Sequence, residues 1–572
     1  MVQPFLWIAV VGAFVSFLAG TGVGMNDLSN AFGTTYGAKV LTVSQIVLAS
    51  VCEFSDAVSL GGAVTATISG GIAKPADFED HPYMFMYGML CACGAAFCWL
   101  AIATWLTLPV SSTHSICGGV IGFALVYGGA GSVSWADSQD EFPFVNGVAP
   151  IVASWFISPL LTGVVPAAIF GSVRCFVLRH ANSVQRAILT LPIIVAITFF
   201  LKAFFVLFKG AQSRLHWDVH HAASVAVWIA AVAGVLSCGF VPLLKRRVKK
   251  MEQQAAVLAH RHGHTLGGVE DAMVHRGYFE ELPVDLHSTE WREAGEPAPA
   301  TPAPSALPPS PASFTYASAQ SRRADDSYDK TEGSPDTVVR EDDGADGNAV
   351  IPLGELQAVA ASRMEVQLYD THAEMLYRYL QVFTAIYASF AHGASDVSNA
   401  VGPLAAINSV YQTGAVQTTT LIPTWILCLG GAGLVLGLTT FGIRLMRLLG
   451  EQITVITPSR GFSAELSAAL VVSFASGYGI PVSSTHCITG AVVGISILDV
   501  GVLNVRWWMV LKMYGGWVCT LVLTALMSAI FFAQGINAPS RWHTHFSRRM
   551  RGASATANTH ARTASKRLLH CM

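Results

Sequence analysis

About twelve stretches of this 572-residue chain are apolar over the length a helix needs to cross a bilayer. That length is roughly 20 residues for a ~30 Å hydrocarbon core. Seven stretches precede the middle of the chain, at 4–24, 41–63, 83–107, 109–131, 147–173, 187–208 and 223–244. Five follow it, at 379–402, 421–443, 464–479, 481–500 and 507–535. Lipid offers no partner to an unpaired backbone amide or carbonyl, so segments of this length must be helices. The expected fold class is therefore an all-α polytopic membrane protein. Composition agrees, since 12% charged residues and a mean hydropathy of +0.49 lie far from a soluble chain, for which about 25% charged is normal. The first ten residues, MVQPFLWIAV, carry no basic stretch ahead of the apolar one, so they read as the start of a span and not as a signal peptide.

A net charge of −2 supplies no field for nucleic acid or for a strongly acidic partner. Most of the eleven cysteines lie inside apolar runs without metal-ligand spacing, and we read them as small packing residues.

Lysine and arginine set the expected orientation. The densest cluster, Lys245, Arg246, Arg247, Lys249 and Lys250, directly follows the seventh stretch and marks that end as cytoplasmic. Arg174, Arg179, Arg186, Arg444 and Arg447 fall on the same side, whereas Asp137, Asp140 and Glu141 fall outside. Both termini then face out. The basic tail, with Arg541, Arg548 and Arg549 among others, runs against this, which leaves a miscounted last span or an override by earlier spans as the alternatives.

Four regions follow from these patterns. Residues 1–244 form a first transmembrane block, with a repeat core at 20–131 and extra spans at 147–244; residues 245–375 form a cytoplasmic, largely disordered loop. Within the loop, 297–312 is proline-rich and 325–346 is acidic and short of large apolar residues. Only its last stretch, 356–378, has a helical pattern. Residues 376–537 form a second block, and 538–572 the basic tail.

The two blocks carry one pattern twice. GMNDLSNAFG at 24–33 matches GASDVSNAVG at 393–402 in six of ten positions, and LPVSSTHSICGGVIG at 108–122 matches IPVSSTHCITGAVVG at 480–494 in ten of fifteen. The offsets, 369 and 372, keep the spacing of the motifs within three residues. An odd number of crossings separates the copies, so the two repeats have inverted topology, as in secondary transporters with broken helices at the centre. Gly22, Gly24, Gly33, Gly393, Gly402 and Pro403 are the expected break points, with Pro109 and Pro481 beside the second motif.

Asp27 and Asp396 stand in apolar runs, where a charge costs ~3 kcal/mol or more. Asn26, Asp27 and Asn30 share one helical face, an oxygen cluster suited to a hard cation. Ser395, Asp396 and Asn399 repeat it with a shorter first side chain. The triplets Ser111-Ser112-Thr113 and Ser483-Ser484-Thr485 follow a proline at an expected helix start, where hydroxyls and free amides make an anion cradle. None of these four motifs contains Lys or Arg, so an anion held there requires co-bound cations, which points to coupled transport. Glu53 and Glu465 are the further intramembrane acids and are read as part of a cation path, with a locally paired structural carboxylate as the alternative. Lone Ser/Thr clusters in membrane helices commonly just join helices, and it is the duplication that favours a site. His114 and His486 are open to two readings, a proton relay or packing.

These motifs, together with GMNDLSNAFGTTYGAK, FAHGASDVSNAVGPLAA and TPSRGFSAELSAA, resemble the inorganic phosphate transporter family of sodium- or proton-coupled symporters, including its fungal and protozoan members. The resemblance covers both blocks and not the loop. It implies that Asp27 and Asp396 with the neighbouring asparagines bind cations, that the two triplets bind phosphate, and that Glu53 and Glu465 serve cation coupling. It further implies a homodimer at the cell surface, no cofactor or metal beyond co-transported Na+ or H+, and no enzymatic activity. Two departures stand out: Ser395 where the family has Asn, and Met25 where it has a small residue. Two rival readings are carried, a carrier of another oxyanion on the same scaffold and a membrane-embedded Ser/His/Asp hydrolase; a nutrient-sensing role would add to transport.

Overall fold

The computed structural model describes residues 5–140, 142, 144–205, 207–208, 217–262, 367–417, 422–443, 445–446 and 456–537. The proline-rich and acidic parts of the expected loop, its 356–366 stretch and the basic tail lie outside these residues. In chain order the helices are α1 (Leu6–Gly37), α2 (Val43–Ala49), α3 (Val51–Leu60), α4 (Gly62–Gly70), α5 (Pro82–Trp105), α6 (Ser112–Gly128), α7 (Val148–Val173), α8 (Ser183–Phe205), α9 (Val219–His262), α10 (Thr371–Thr413), α11 (Thr424–Thr440), α12 (Pro458–Gly477), α13 (Ser484–Val500) and α14 (Trp507–Asn537). One two-residue strand pair, Asp137–Ser138 with Val145–Asn146, closes the α6–α7 connection.

Among the described residues, seven helices are long and apolar enough to cross a membrane, or eight if the bent pair Val43–Ser59 and Val64–Gly70 is one span. The sequence reading counts twelve. Helices α11 and α13 are shorter, at 17 residues each, and α10 and α12 are long but outside the apolar set. The reason is position: α10 and α12 are almost wholly buried among other helices and need no apolar surface for lipid. In the most apolar window of α7, α8 or α9, only 22% is buried, and residues such as Leu160, Leu189 and Trp228 point outward.

The expected breaks at the motif glycines do not occur. α1 runs unbroken through Gly22, Gly24 and Gly33, and α10 through Gly393, Gly402 and Pro403. Glycine here permits close approach: a Cβ on Gly24 would stand 2.1 Å from the Leu434 carbonyl oxygen of α11, and one on Gly393 would stand 2.2 Å from that of Glu53 on α3. Interruptions fall elsewhere. The second stretch bends by 63° between α3 and α4, and the chain is non-helical at Pro109 and Pro481, just ahead of α6 and α13. α9 also continues beyond residue 244 to His262, and α10 opens at Thr371 behind an Asp370 cap, so residues 371–378 belong to the membrane-block helix.

Packing exchanges partners between the halves. α14 packs on α6 while α7 packs on α13, and α11 packs on α1 while α3 and α4 pack on α10. Registers match as well: Gly122 lies against Ala525 as Gly494 lies against Gly163, and a Cβ at either glycine would stand 2.1 Å from the opposing carbonyl oxygen. Each half therefore buries helix faces against the other as well as within itself.

Candidate functional site

The helix-start serines do local work. Ser111 Oγ accepts from the His114 amide at 3.2 Å and Ser483 Oγ from the His486 amide at 3.4 Å, so each is the N-cap of its helix. Of the six triplet hydroxyls, this leaves Ser112, Thr113, Ser484 and Thr485 to face the centre, all buried.

There they meet α1 and α10 crosswise. Asp27 Oδ1 accepts from Asn30 Nδ2 at 2.6 Å, and Asp27 Oδ2 accepts from Ser112 Oγ at 2.8 Å. Asn30 Nδ2 also reaches Ser484 Oγ at 3.3 Å and Thr485 Oγ1 at 2.8 Å, in the other half. Asn399 Nδ2 does the reciprocal, donating to Ser112 Oγ at 3.2 Å and Thr113 Oγ1 at 3.3 Å. Ser484 Oγ donates to Asp396 Oδ1 at 3.4 Å. Thr113 Oγ1 donates to the Val482 carbonyl at 3.3 Å and Thr485 Oγ1 to the Val110 carbonyl at 3.2 Å. Contacts that pair i with j and then j's counterpart with i's are those of a two-fold axis. Two carboxylates, two carboxamides and four hydroxyls thus form one buried cluster drawn from four helices. No Lys or Arg side chain bonds to it among the described residues.

Asn26 and Ser395 are not in the cluster. Asn26 Nδ2 donates to Thr104 Oγ1 at 3.2 Å and to the Leu108 carbonyl at 3.1 Å, while its Oδ1 accepts from the Val110 amide at 3.1 Å. Ser395 Oγ donates to the Val482 carbonyl at 3.4 Å. Both therefore hold the turn that presents the hydroxyls, because a bare turn ahead of a proline-led helix has backbone groups to satisfy. Sequence spacing cannot separate a ligand from a turn clamp on the same helical face.

Glu465 on α12 is saturated. Its Oε1 accepts from Thr34 Oγ1 at 2.6 Å, Thr35 Oγ1 at 2.5 Å and Gln381 Nε2 at 3.1 Å, and its Oε2 accepts from Thr384 Oγ1 at 2.9 Å. Glu53 on α3 accepts from Ser389 Oγ at 3.1 Å through Oε1 only. One turn on, Asp56 Oδ2 accepts from the Ala394 amide of α10 at 2.6 Å. The sequence reading missed Asp56, Thr34, Thr35, Gln381 and Thr384. An i, i+3 acid partner to Glu53 inside an apolar run was the available signal for Asp56; the other four become legible only once α1, α10 and α12 are seen to touch.

The two histidines form a ring stack. His114 and His486 are perpendicular with centroids 4.8 Å apart, and they lie against Trp155 at 4.2 Å and Trp517 at 3.9 Å. His114 Nδ1 donates to the Trp517 carbonyl at 3.3 Å. Among the described residues neither ring bonds to a titratable side chain, an arrangement that favours packing over a proton relay. A Ser–His–Asp relay is not formed either, since Ser111 meets His114 only through the backbone amide and Ser112 meets Asp27 directly. The tryptophans belong to a third repeated element that the motif comparison missed, WFISPLLTG at 155–163 and WVCTLVLTA at 517–525.

Comparison with known proteins gives a consistent result. The profile described as "Phosphate transporter family" matches residues 23–528. The chain is 30% identical to the phosphate-repressible phosphate permease pho-4 of Neurospora crassa, covering 95% of this chain and 99% of that one. It is 27% identical to sodium-dependent phosphate transporter 2 of Felis catus, over 93% of this chain and 98% of that one. A solved structure titled "The sodium-dependent phosphate transporter" superposes with a TM-score of 0.63 at 26% identity, over 92% of this chain and 98% of that one.

Proposed function

We propose, on the premise that this chain belongs to the phosphate transporter family and is a transporter and not an enzyme, that it carries inorganic phosphate by cation symport with alternating access about the central cluster. Sodium is the favoured driver because relatives such as the Felis catus protein are named as sodium-dependent transporters; protons are the alternative. The observation that carries the reading is the merger of carboxylates and hydroxyls into one buried set without a basic side chain.

That merger supplies a coupling mechanism. Ser112 and Ser484 spend their protons on Asp27 and Asp396. A cation ligated by these carboxylates, with Asn30 and Asn399 oxygens beside it, takes over the neutralisation and frees the hydroxyls to donate to phosphate. Asn399 Oδ1 is buried without a partner among the described residues and is suited to that ligation. Ser112, Thr113, Ser484 and Thr485 then bind the anion, aided by the α6 and α13 N-termini that Ser111 and Ser483 hold open. Phosphate without cation meets two carboxylates and is repelled; cation without phosphate leaves the hydroxyls idle.

Glu53 and Glu465 flank the cluster and are proposed to serve the cation path. A cytoplasmic 245–375 loop is part of the proposal, on the strength of the positive-inside pattern, and so is a homodimer in the plasma membrane, which the family resemblance implies. The decisive experiment is uptake of labelled phosphate into proteoliposomes under a sodium gradient or a pH gradient, with excess sulfate as competitor. Acceleration by one gradient, indifferent to sulfate, is the expected result. Uptake blocked by sulfate or driven by neither gradient overturns it.

A further inference from the structure

α8 belongs to the extra spans, outside the duplicated pattern, yet it brings a lysine to the depth of the carboxylates. Ser183 at its start bonds Asp370, just ahead of α10. Nineteen residues further along each helix come Lys202 and Ser389, and two helices rising 1.5 Å per residue bring those to one level. Lys202 Nζ indeed lies 5.0 Å from the ring centre of Tyr387 and 4.9 Å from that of Phe390, both on α10. It rests on an aromatic platform, not on a carboxylate.

The carboxylates are nearby. Glu53 and Asp56 are each 1% exposed, and each fixes one oxygen to α10. Glu53 Oε2 and Asp56 Oδ1 have no partner among the described residues. Asp56 and Lys202 attract one another across the gap without an ion-pair contact, and Glu53 and Asp56 are within electrostatic reach of each other and of Asp396. Buried carboxyl oxygens demand a partner, and a lysine stem is long and flexible enough to swing its ammonium between two positions.

We infer that Lys202 is a tethered cation that competes with a co-transported cation for Glu53 and Asp56, and so determines how many free cations accompany each phosphate. Lys202 is a specificity-determining residue and touches neither phosphate nor the central cluster. With the ammonium on Tyr387 and Phe390, the carboxylates are open to a free ion; with it on the carboxylates, that ion is excluded. The inference rests on the symport reading above.

The test compares wild type with Lys202→Met and Lys202→Arg in proteoliposomes, titrating sodium at saturating phosphate and recording current together with labelled flux. In Lys202→Met the half-saturating sodium concentration should fall by about tenfold, a small part of the repulsion between unit charges a few ångströms apart, and the charge moved per phosphate should rise by one. Lys202→Arg should stay within about twofold of wild type, because the tethered charge persists. Unchanged half-saturation and charge ratio in Lys202→Met overturn the inference. Should Lys202→Met fail to reach the membrane, Phe390→Leu, which keeps the lysine and weakens its platform, should raise the half-saturating sodium concentration, and no change there overturns it equally. Wild-type uptake indifferent to every cation gradient defeats the symport reading and this inference together, whereas cation-driven wild-type uptake with an unaltered Lys202→Met defeats this one alone.

Discussion

The two halves of the central cluster share a motif, yet they hold their carboxylates differently. Asp27 has two short bonds, from Asn30 and Ser112, while Asp396 has one long bond from Ser484. Asn26 ties the α5–α6 turn with three bonds and Ser395 ties its counterpart with one. Beyond the motifs the halves diverge further: Arg460 Nε donates to Asp499 at 2.5 Å, both side chains 1% exposed, while the positions 372 earlier are Gly88 and Tyr127. Duplication thus fixes which groups meet, and the less repeated surroundings decide how tightly. At the cluster itself the first half is the firmer wall and the second the looser one.

Substitution at the two aspartates tests this difference most severely. Asp27→Asn and Asp396→Asn should each abolish cation-driven phosphate uptake while leaving the protein in the membrane, as measured by flux against surface protein. Asp27→Asn should also lower the thermal stability more, because it disturbs two short charge-assisted bonds and not one long bond. Wild-type uptake in either variant would refute the shared cation role, and equal destabilisation would refute the asymmetry.

Next in size is the ion pair present in one half only. Asp499→Asn strands Arg460 and weakens the 3.5 Å contact with Arg174. Breaking a buried pair from one side costs about 3–5 kcal/mol, so a thermal melt in detergent should show a large drop, with Asp499→Glu closer to wild type. A melt unchanged in Asp499→Asn would show the pair to be idle.

Where the halves do match, they should respond alike. Gly122→Ala and Gly494→Ala each push a Cβ onto a backbone carbonyl at 2.1 Å, an overpacking that costs about 1–3 kcal/mol. Similar losses of melting temperature are expected, and a clear inequality would break the two-fold relation between α6·α14 and α13·α7. Exchanging the turn clamps is milder. Asn26→Ser should cost roughly 1–2 kcal/mol for its lost bonds, and Ser395→Asn should leave stability level or raised, read from the same melts.

The smallest effect concerns Asp370, outside the membrane helices, whose carboxylate is held down to about 2, first by the hydrogen bond from His372 and then by Ser183 and the helix cap. A depressed carboxylate contributes stability above its unfolded value near 3.8, and that contribution is lost as pH falls from there through about 2. Asp370→Asn should flatten the acid end of the stability profile slightly, and an unaltered profile would discount the anchor.

Hydropathy by itself determined that this chain is a helical membrane protein, because lipid admits no other response to such stretches. The paired motifs singled out Asp27, Asp396, the asparagines and the hydroxyls as the candidate site, because two copies at constant spacing exclude accident. Their sequence could not say that Ser111 and Ser483 are caps, that Asn26 and Ser395 clamp turns, or that the motif glycines seat helices against each other. A residue's neighbours four positions away are fixed by the helix, but its neighbours across a helix interface depend on which helices touch. Only tertiary structure, by setting α1 and α10 against α12, gave Glu465 its four donors, and by setting α8 against α10 put Lys202 over Tyr387 and Phe390, since those contacts join residues from different helices and no local pattern encodes them.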